Sequence, residues 1–374
     1  METNRHIYLC LAKMSPDGAE QRFIQEAFDT NWVAPLGPNV DAFEKELEDY
    51  LGNHRHVAAL SSCTAAIHLA LLSLKVGQGD EVLCQSFSFC ASSNPVTYCG
   101  AKPVFVDSEK ETWNLSPELL EEAIQSRIAR KSKPKAIIVV DLYGMPAQWD
   151  AIEEIARRYE IPVIEDAANA LGSTYQGRPC GTFGDIATLS FNGNKIITTS
   201  GGGALVCKDL ETKKQAVFLA TQARENALHY QHETIGYNYR MSNISAGIGR
   251  GQMTVLDDHI KHHQHVHQLY RELLGDLVKD NPGRDYDSNF WLTTVQFAPG
   301  TDTVALCQKL NAAGIEARPL WKPMHLQPVY KDAPAFTNGV SETLFKTGLC
   351  LPSGPWVTDE DVGFIVETIK KATV

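Results

Sequence analysis

The chain has 374 residues, of which 43% are hydrophobic and 21% charged, a composition that is typical of folded globular proteins and excludes an intrinsically disordered one. Its formal net charge of −11 argues against a nucleic-acid-binding protein, because neutralising phosphates requires an excess of Lys and Arg. No apolar run approaches the roughly 18 residues that a membrane-spanning helix needs, and the segment Met1–Met14 lacks a secretory signal pattern, which predicts a cytoplasmic protein.

Helical and strand-like segments alternate from about residue 40 to residue 206. Helical spacing of apolar residues predicts the helices Val40–Tyr50, Thr64–Leu74, Pro117–Ala129 and Trp149–Tyr159. Short apolar runs predict the strands Glu81–Cys84, Pro103–Val106, Ala136–Val140, Val163–Ile164, Ala187–Phe191 and Ala204–Cys207. Because strands alternate with helices, we expect a mostly parallel sheet covered on both faces, with ligands bound beyond the carboxyl ends of its strands.

The pattern changes in the last third of the chain. The predicted elements there are a long helical run over Ser245–Leu274, a strand over Leu292–Phe297, a helix over Val304–Ala313 and a closing helix over Asp359–Lys371. The sequence therefore predicts a large α/β domain, residues 1–250, followed by the linking helix and a smaller α+β domain, residues 251–374.

A phosphate-binding helix start is predicted at Ser61–Ala66, directly before an apolar helix. Helix N-termini present free N–H groups and a partial positive charge, which suit a phosphate, and the hydroxyl of Thr64 is available as a further donor. The same residue types also form ordinary helix caps, so this segment by itself leaves both interpretations open.

Two carboxylates, Glu165 and Asp166, end a predicted buried strand and are followed by small residues. Buried carboxylates are costly unless they pair with a cation or serve a function. The small residues leave room for a flat ring above the sheet. A strand-end cap or a salt bridge is the alternative.

Lys195 lies between a strand end and the glycine-rich turn Ser200–Gly203. Burial lowers the pKa of a lysine, as a lysine that bonds to an aldehyde requires, although an isolated lysine is usually solvated. The order of four features predicts a pyridoxal-phosphate site. They are the helix start for the phosphate, the aromatic Phe89 for stacking, Asp166 for the ring nitrogen and Lys195 for the aldehyde.

Motifs spread over most of the chain carry a resemblance to a known family. They are Trp32–Pro38, Ser62–Ala66, Glu165–Ala168, Ser190–Lys195, Gly236–Met241 and Gly314–Pro319. On these motifs the chain resembles the sugar-nucleotide aminotransferases (the DegT/StrS group) of the fold-type-I, aspartate-aminotransferase-like superfamily. The segments Asn192–Gly203 and Thr221–Asn226 are similar to one branch, the UDP-4-keto-6-deoxy-N-acetylglucosamine 4-aminotransferases of bacterial glycosylation in bacillosamine-type pathways.

The resemblance implies an α/β fold with an aspartate-aminotransferase-like large domain, pyridoxal 5'-phosphate as cofactor and a homodimer with shared active sites. It implies transfer of an amino group from L-glutamate to C4 of a UDP-4-keto-6-deoxy-N-acetylhexosamine, with Lys195 as the catalytic residue that bonds the cofactor and carries the proton. The implied cofactor contacts are Cys63, Thr64, Phe89, Asp166, Asn169, Ser190 and, from the opposite subunit, Asn238. The implied substrate contacts are Trp32, Val33, Ala34, Pro35, Arg318, Trp321, Lys322 and His325.

Two positions depart from the pattern of the family. Cys63 stands where relatives have Gly or Ala, which has little consequence if the contact uses the backbone N–H. Asn169 stands where most relatives carry Gln, His or Glu near the ring hydroxyl. Because Asn is shorter, either a water bridges the gap or the contact is lost.

Other functions remain as alternatives. Within the same fold they are a C3 aminotransferase, another keto-sugar-nucleotide aminotransferase, or a catalytically silent regulator or binding protein. Lys195 disfavours the sugar dehydratases of the superfamily, which carry histidine there. The chain contains neither GxGxxG nor GxxxxGK[ST], which disfavours dinucleotide-dependent oxidoreductases and P-loop proteins.

No metal site is predicted. The chain has 9 cysteines without a CxxC pair, which indicates free thiols in a reducing compartment. We interpret a histidine-rich stretch as a solvated helix face, because no carboxylate or cysteine completes a ligand set; its members are His259, His262, His263, His265 and His267. Trp291, Trp356 and Phe364 are assigned to the core or to an interface.

Overall fold

The computed structural model describes residues 6–52, 54–279 and 283–373. The helices are α1 (Ala19–Asp29), α2 (Pro38–Leu51), α3 (Cys63–Ser73), α4 (Asn94–Tyr98), α5 (Pro117–Ala129), α6 (Trp149–Arg158), α7 (Leu210–Ala220), α8 (Asn243–Met253), α9 (Leu256–Leu274), α10 (Thr303–Ala312), α11 (Val340–Thr347) and α12 (Asp359–Thr373). The strands are β1 (His56–Leu60), β2 (Glu81–Gln85), β3 (Lys102–Val106), β4 (Ala136–Val140), β5 (Val163–Asp166), β6 (Thr174–Tyr175), β7 (Arg178–Pro179), β8 (Ile186–Ser190), β9 (Gly203–Cys207), β10 (Tyr286–Asp287), β11 (Thr293–Gln296), β12 (Arg318–Pro319), β13 (Ala335–Phe336) and β14 (Gly348–Leu351).

The central sheet has the strand order β1-β9-β8-β5-β4-β2-β3-β13 within the described residues. Only β9 runs against its neighbours there, so the prediction of a mostly parallel sheet is confirmed. The register places Asp166 beside Val140 on one side and beside Thr188 on the other. The carboxyl ends of β4, β5 and β8 therefore lie together at one edge of the sheet.

Local sequence explains the elements that were predicted well. Helix α5 begins and ends where expected, because Pro117 occupies its first turn and the side chain of Ser116 accepts a hydrogen bond from the N–H of Leu119. Strand β4 consists entirely of buried residues, as a central parallel strand should. Strand β1 was not predicted, because this short run between two helices lacks the alternation that marks a half-buried strand.

The long helical run predicted over Ser245–Leu274 is wrong as a single helix. It divides into α8 and α9, because Val255 leaves the helical conformation with φ of −119° and ψ of 5°. The N–H groups of Thr254 and Val255 bond to carbonyls three residues back, which tightens the last turn. Neither Gly nor Pro stands at the break, so the sequence carries no signal for it.

The interpretation of the histidine stretch as a solvated face is also wrong for one side of α9. His259, His263 and His267 are buried and share the side that carries the core residue Val266. The Nδ1 of His259 hydrogen-bonds the carbonyl of Ile196, and the ring of His267 stacks on another aromatic ring with centroids 3.7 Å apart. The imidazoles act here as flat core side chains.

The buried imidazoles predict an acid-sensitive fold. Burial lowers the pKa of both His263 and His267 to about 3, whereas in the unfolded chain it lies near 6.5. The unfolded state therefore binds more protons below pH 6.5, and the free energy of unfolding falls as pH decreases from there toward 3, by up to about 1.4 kcal/mol per pH unit for each residue. Urea titrations of the wild type and of His267→Phe at pH 7 and pH 5 measure this, and the variant should lose less stability on acidification.

The exposed His54 offers a matched control, because its replacement by Phe removes an imidazole at the surface rather than one in the core. His54→Phe should keep the wild-type dependence of stability on pH. An unchanged dependence in His267→Phe would contradict the assignment.

The C-terminal part of the chain forms its own small sheet, in which β14 lies between β11 and β12, together with α10 and α12. Several connections cross the predicted division at residue 250, among them the following two. Ile7 donates its N–H to the carbonyl of Gly314 over 2.8 Å, and β13 pairs with β3 at the edge of the central sheet. The two-domain division stays a prediction. None of the described helices is both long and apolar enough to cross a membrane.

Candidate active site

A cavity of about 440 Å³ opens beyond the carboxyl ends of β5 and β8, a volume suited to a small organic ligand. It brings together many of the residues predicted for the site. Those that line it are Cys63, Thr64, Phe89, Asp166, Asn169, Ser190, Lys195, Arg318 and Trp321. Those that do not line it are Trp32, Val33, Ala34, Pro35, Asn238, Lys322 and His325.

One wall of the cavity is the beginning of α3. Ser62 caps this helix, accepting a hydrogen bond from the N–H of Ala65 over 3.0 Å. The N–H groups of Cys63 and Thr64 lie in the first turn, where the helix offers them no acceptor. Gly203 lies directly beneath, since a Cβ there would be 2.3 Å from the backbone nitrogen of Cys63. Because Gly203 has no side chain, the strand can lie against the first turn of α3. The free N–H groups of this turn are donors that suit an anion.

Asp166 lies at the floor of the cavity, 3% exposed. One carboxylate oxygen accepts the hydroxyl proton of Ser92 over 2.6 Å, and the other accepts the N–H of Ala168 over 3.1 Å. Burial raises the pKa of Asp166, and these two hydrogen bonds act against that rise. The carboxylate is held in one orientation and would be stabilised by a bound cationic group.

Lys195 faces Asp166 from a turn after β8. Its Nζ donates to Oδ1 of Asn169 over 2.6 Å and lies 4.0 Å from the centroid of the Trp291 indole. Burial lowers the pKa of Lys195 to about 8, and the charge of Asp166 opposes the decrease. About a tenth of this amine is therefore neutral and nucleophilic at pH 7, a far larger fraction than for an ordinary lysine with a pKa near 10.4.

Aromatic rings form the outer wall of the cavity. Phe89 is 55% exposed and its ring lies 5.8 Å from that of Trp321, which in turn lies 4.5 Å from Tyr143. Trp291 also lines the cavity, and the amine of Lys195 lies over its ring, a contact that the sequence did not indicate. No local motif marks it, because the lysine it contacts is distant in the chain.

The other two aromatic residues assigned with Trp291 lie elsewhere. Phe364 packs against the core of the C-terminal part, as expected. Trp356 is 59% exposed, with its indole N–H donating to the carbonyl of Ala12. The described residues leave this ring at the surface rather than in the core.

Of the predicted residues outside the cavity, Asn238, Trp32, Val33 and Pro35 are exposed at the surface, and Ala34 and Lys322 are half-buried. His325 is half-buried, and its Nδ1 lies 2.6 Å from the hydroxyl of Ser86 and its Nε2 3.4 Å from Glu342. Its ring nitrogens are thus engaged by the protein within this subunit.

Glu165 points away from the cavity, because successive side chains of a strand alternate between its faces. Its two oxygens accept the N–H groups of Gly181 and Phe183, each over 2.6 Å. Ligand atoms of Asp141, Glu165 and Cys180 lie within 4.8 Å of one another, and Asp141 Oδ2 has no hydrogen-bond partner among the described residues. Burial raises the pKa of both carboxyl groups, that of Asp141 to about 6, so one proton held between them relieves their repulsion.

This pair predicts a stabilising substitution, Asp141→Asn. In the wild type the folded state binds more protons than the unfolded state above about pH 4, so the free energy of unfolding decreases as pH rises through about 6. The amide keeps an oxygen for Trp149 and turns Oδ2 into a donor toward Glu165. We expect Asp141→Asn to be more stable than the wild type by about 1–2 kcal/mol at pH 8 and similar to it at pH 5, in urea titrations.

Asp107 provides the matched control, since this buried carboxylate accepts backbone N–H groups of Asn338, Gly339 and Ser341. Asp107→Asn should lower stability at both pH values. Equal stabilities of Asp141→Asn and the wild type at pH 8 would contradict the shared proton.

Comparisons with known proteins agree with this geometry. The profile of the DegT/DnrJ/EryC1/StrS aminotransferase family matches residues 15–370. EpsN of Bacillus subtilis (strain 168), whose name describes a pyridoxal phosphate-dependent aminotransferase, is 48% identical over 98% of this chain and 95% of its own. The GDP-perosamine synthase of Caulobacter vibrioides is 37% identical over 96% of both chains.

Solved structures give the same result. An aminotransferase from Brucella abortus has a TM-score of 0.89 at 30% identity, covering 96% of both chains. The sugar aminotransferase Spr1654 of Streptococcus pneumoniae, in its PLP-form, has a TM-score of 0.91 at 26% identity, covering 99% of both chains. The fold expected from the resemblance is confirmed.

Proposed function

Because the chain belongs to the DegT/DnrJ/EryC1/StrS aminotransferase family and is a pyridoxal-phosphate-dependent sugar aminotransferase, we propose that it transfers the amino group of L-glutamate to C4 of a UDP-4-keto-6-deoxy-N-acetylhexosamine in the cytoplasm. The observation that carries this proposal is one cavity holding Lys195 and Asp166 beside an anion-ready helix start. The choice of sugar rests on the branch motifs Asn192–Gly203 and Thr221–Asn226.

The residues present fit pyridoxal phosphate. The first-turn N–H groups of Cys63 and Thr64, held close to the sheet by Gly203, suit its phosphate, with the hydroxyl of Ser190 nearby in the lining. Phe89 offers an exposed aromatic face for stacking. When bound, the cofactor supplies an electron-accepting ring that stabilises a carbanion.

Two side chains carry the chemistry in this proposal. Lys195, with its lowered pKa, removes the proton from Cα of glutamate as a general base and delivers it as a general acid. Asp166 keeps its negative charge at the floor of the cavity, where it holds a proton on the ring nitrogen. Asn169 contacts Lys195 here, so its predicted contact with the ring hydroxyl stays a prediction.

We further propose a homodimer in which Asn238 reaches the site of the partner copy. Supporting this, Asn238 is exposed outside the cavity of its own chain. The segment before it exposes the apolar side chains of Leu228, Tyr230 and Ile235, and a run of this kind marks an interaction surface. Sedimentation of the purified protein at twice the mass of 41.3 kDa is the expected result.

The test of the substrate has two stages. L-Glutamate added to the cofactor-loaded protein should release 2-oxoglutarate once per site without any sugar, as a ping-pong enzyme must. A panel of keto-sugar nucleotides is then added together with glutamate. We expect continuous turnover with the UDP-4-keto-6-deoxy-N-acetylhexosamine. Turnover with a GDP-linked 4-keto sugar alone would instead place the chain with the GDP-perosamine synthases, one of which is 37% identical to it. If 2-oxoglutarate is not released from glutamate and no keto sugar is aminated, the result would favour a catalytically silent binding protein.

A further inference from the structure

Trp291 lies in the segment between β10 and β11 and lines the cavity. Two hydrogen bonds fix it, one at its backbone and one at its indole. Its backbone N–H donates to Oδ1 of Asn289 over 2.8 Å, and its indole N–H donates to the carbonyl of Asn194 over 2.6 Å. Only 3% of the residue is exposed. The indole face beneath Lys195 therefore has one position.

Asn289 connects this tryptophan to the other contact of the lysine. Its Nδ2 donates to the carbonyl of Asn169 and to that of Leu171, each over 2.9 Å, while its Oδ1 accepts from Trp291. The Oδ1 of Asn169 in turn accepts from Lys195 over 2.6 Å. A single buried amide thus links the two residues that contact the amine.

The surroundings of Asn289 are closely packed and hydrogen-bonded. A Cβ at Gly144, where φ is +98°, would lie 2.0 Å from Oδ1 of Asn289. The hydroxyl of Ser173 accepts the N–H of Asn289 over 2.9 Å and donates to the carbonyl of Gly144 over 2.7 Å. The site is built for an amide in this orientation.

We propose that Asn289 and Trp291 form a clamp that positions the Nζ of Lys195 between an amide oxygen and an indole face, and thereby sets the reactivity of this amine. The proposal rests on the proposed function, in which Lys195 is the reacting group. Trp291 contacts the amine directly, whereas Asn289 is a positioning residue that acts through Asn169 and Trp291.

The clamp has two opposed physical effects on the amine. The face of an indole attracts an ammonium group above it, which favours the protonated form. The closed wall also keeps water from the amine, which favours the neutral form. The other titratable groups facing Lys195 are Asp166 on β5, Cys63 at the start of α3 and Cys10 in the N-terminal segment, and the variants below replace none of the three.

The experiment measures the pH at which Lys195 becomes reactive in the cofactor-free protein. Acetic anhydride labels each amine in proportion to its neutral fraction, and mass spectrometry of the peptide containing Lys195 gives its titration midpoint. Trp291→Leu keeps a bulky apolar wall but removes the attraction, so the midpoint should fall by about half to one pH unit, whereas Trp291→Phe should stay closer to the wild type.

Asn289→Ala should have the opposite effect. It releases both contacts of the amine and admits water, so the midpoint should rise by about one pH unit or more toward the ordinary lysine value near 10.4. Asn289→Ser, which keeps a hydroxyl in place of the amide, provides a second variant if the alanine variant does not fold. Circular dichroism of each variant checks the fold.

Trp356 supplies a matched control, because its ring also has a lysine above it, Lys13, with Nζ 5.0 Å from the centroid. Trp356→Leu should leave the midpoint of Lys195 unchanged. Wild-type midpoints in Trp291→Leu and in the folded Asn289 variant would overturn the clamp. A wild-type protein that fails to take up pyridoxal phosphate would instead contradict the proposed function, and the titration of Lys195 would still report on the clamp.

Discussion

Lys195→Ala is expected to abolish amino transfer while leaving the fold and the cofactor-binding residues in place. The substitution removes both the amine that bonds the cofactor and the general base, and the loss of proton transfer alone costs up to about 10⁴-fold in rate. The phosphate-binding wall and Asp166 are untouched, so the variant should still bind pyridoxal phosphate, without covalent attachment. Release of 2-oxoglutarate from glutamate, and borohydride trapping of the attached cofactor, measure the two effects.

Two variants sharpen this prediction. Lys195→Arg keeps a positive charge in the cavity but cannot lose its proton near neutral pH, so it should be as inactive as the alanine variant. Lys208→Ala removes a surface lysine that pairs with Asp185 and should retain wild-type rates. Turnover at the wild-type rate in Lys195→Ala would refute the assignment of the catalytic residue.

Asp166→Asn is expected to show the next largest effect, a decrease of about 10²–10³-fold in turnover, the typical loss when one preorganised electrostatic contact is removed. The amide retains the size of the carboxylate and can still accept the hydroxyl proton of Ser92, but it cannot hold a proton on a ring nitrogen. Steady-state kinetics with glutamate measure the loss.

The same substitution separates catalysis from stability. Burial raises the pKa of Asp166, so its charge is a cost to the folded protein without cofactor, and the neutral amide removes that cost. The cofactor-free Asp166→Asn protein should therefore melt at the same temperature as the wild type or above it. Ser92→Ala, which removes one hydrogen bond and leaves the charge, is the control and should lower turnover only a few fold. A variant that melts well below the wild type would show that Asp166 is mainly structural.

The sequence predicted the parts of the site that follow from local rules. The helix start at Cys63 follows from a capping serine before an apolar helix, and the position of Asp166 follows from a buried strand that ends in carboxylates. The carboxyl ends of parallel strands meet at one edge, which brought Asp166 and Lys195 into one cavity as expected. The resemblance added Arg318 and Trp321, which periodicity alone does not single out.

What the sequence did not show depends on contacts between distant segments. Trp291 is distinguished from other core tryptophans by the lysine over its ring, and His263 is distinguished from a solvated histidine by its burial, with the carbonyl of Phe290 3.3 Å from its Nδ1. The break between α8 and α9 has no glycine or proline to mark it. In each case a tertiary contact determines the environment, and no property of the local sequence encodes that contact.

The pairing of Ile7 with the Gly314–Glu316 segment has a consequence for the order in which the protein matures. The N–H of Leu9 donates to a carboxylate oxygen of Glu316 over 3.0 Å, and Leu9 lines the cavity. A ribosome releases these early residues long before the segment that holds them, so during synthesis they wait without their partner. The cavity is therefore completed only when the segment that holds Glu316 and the lining residues after it has emerged.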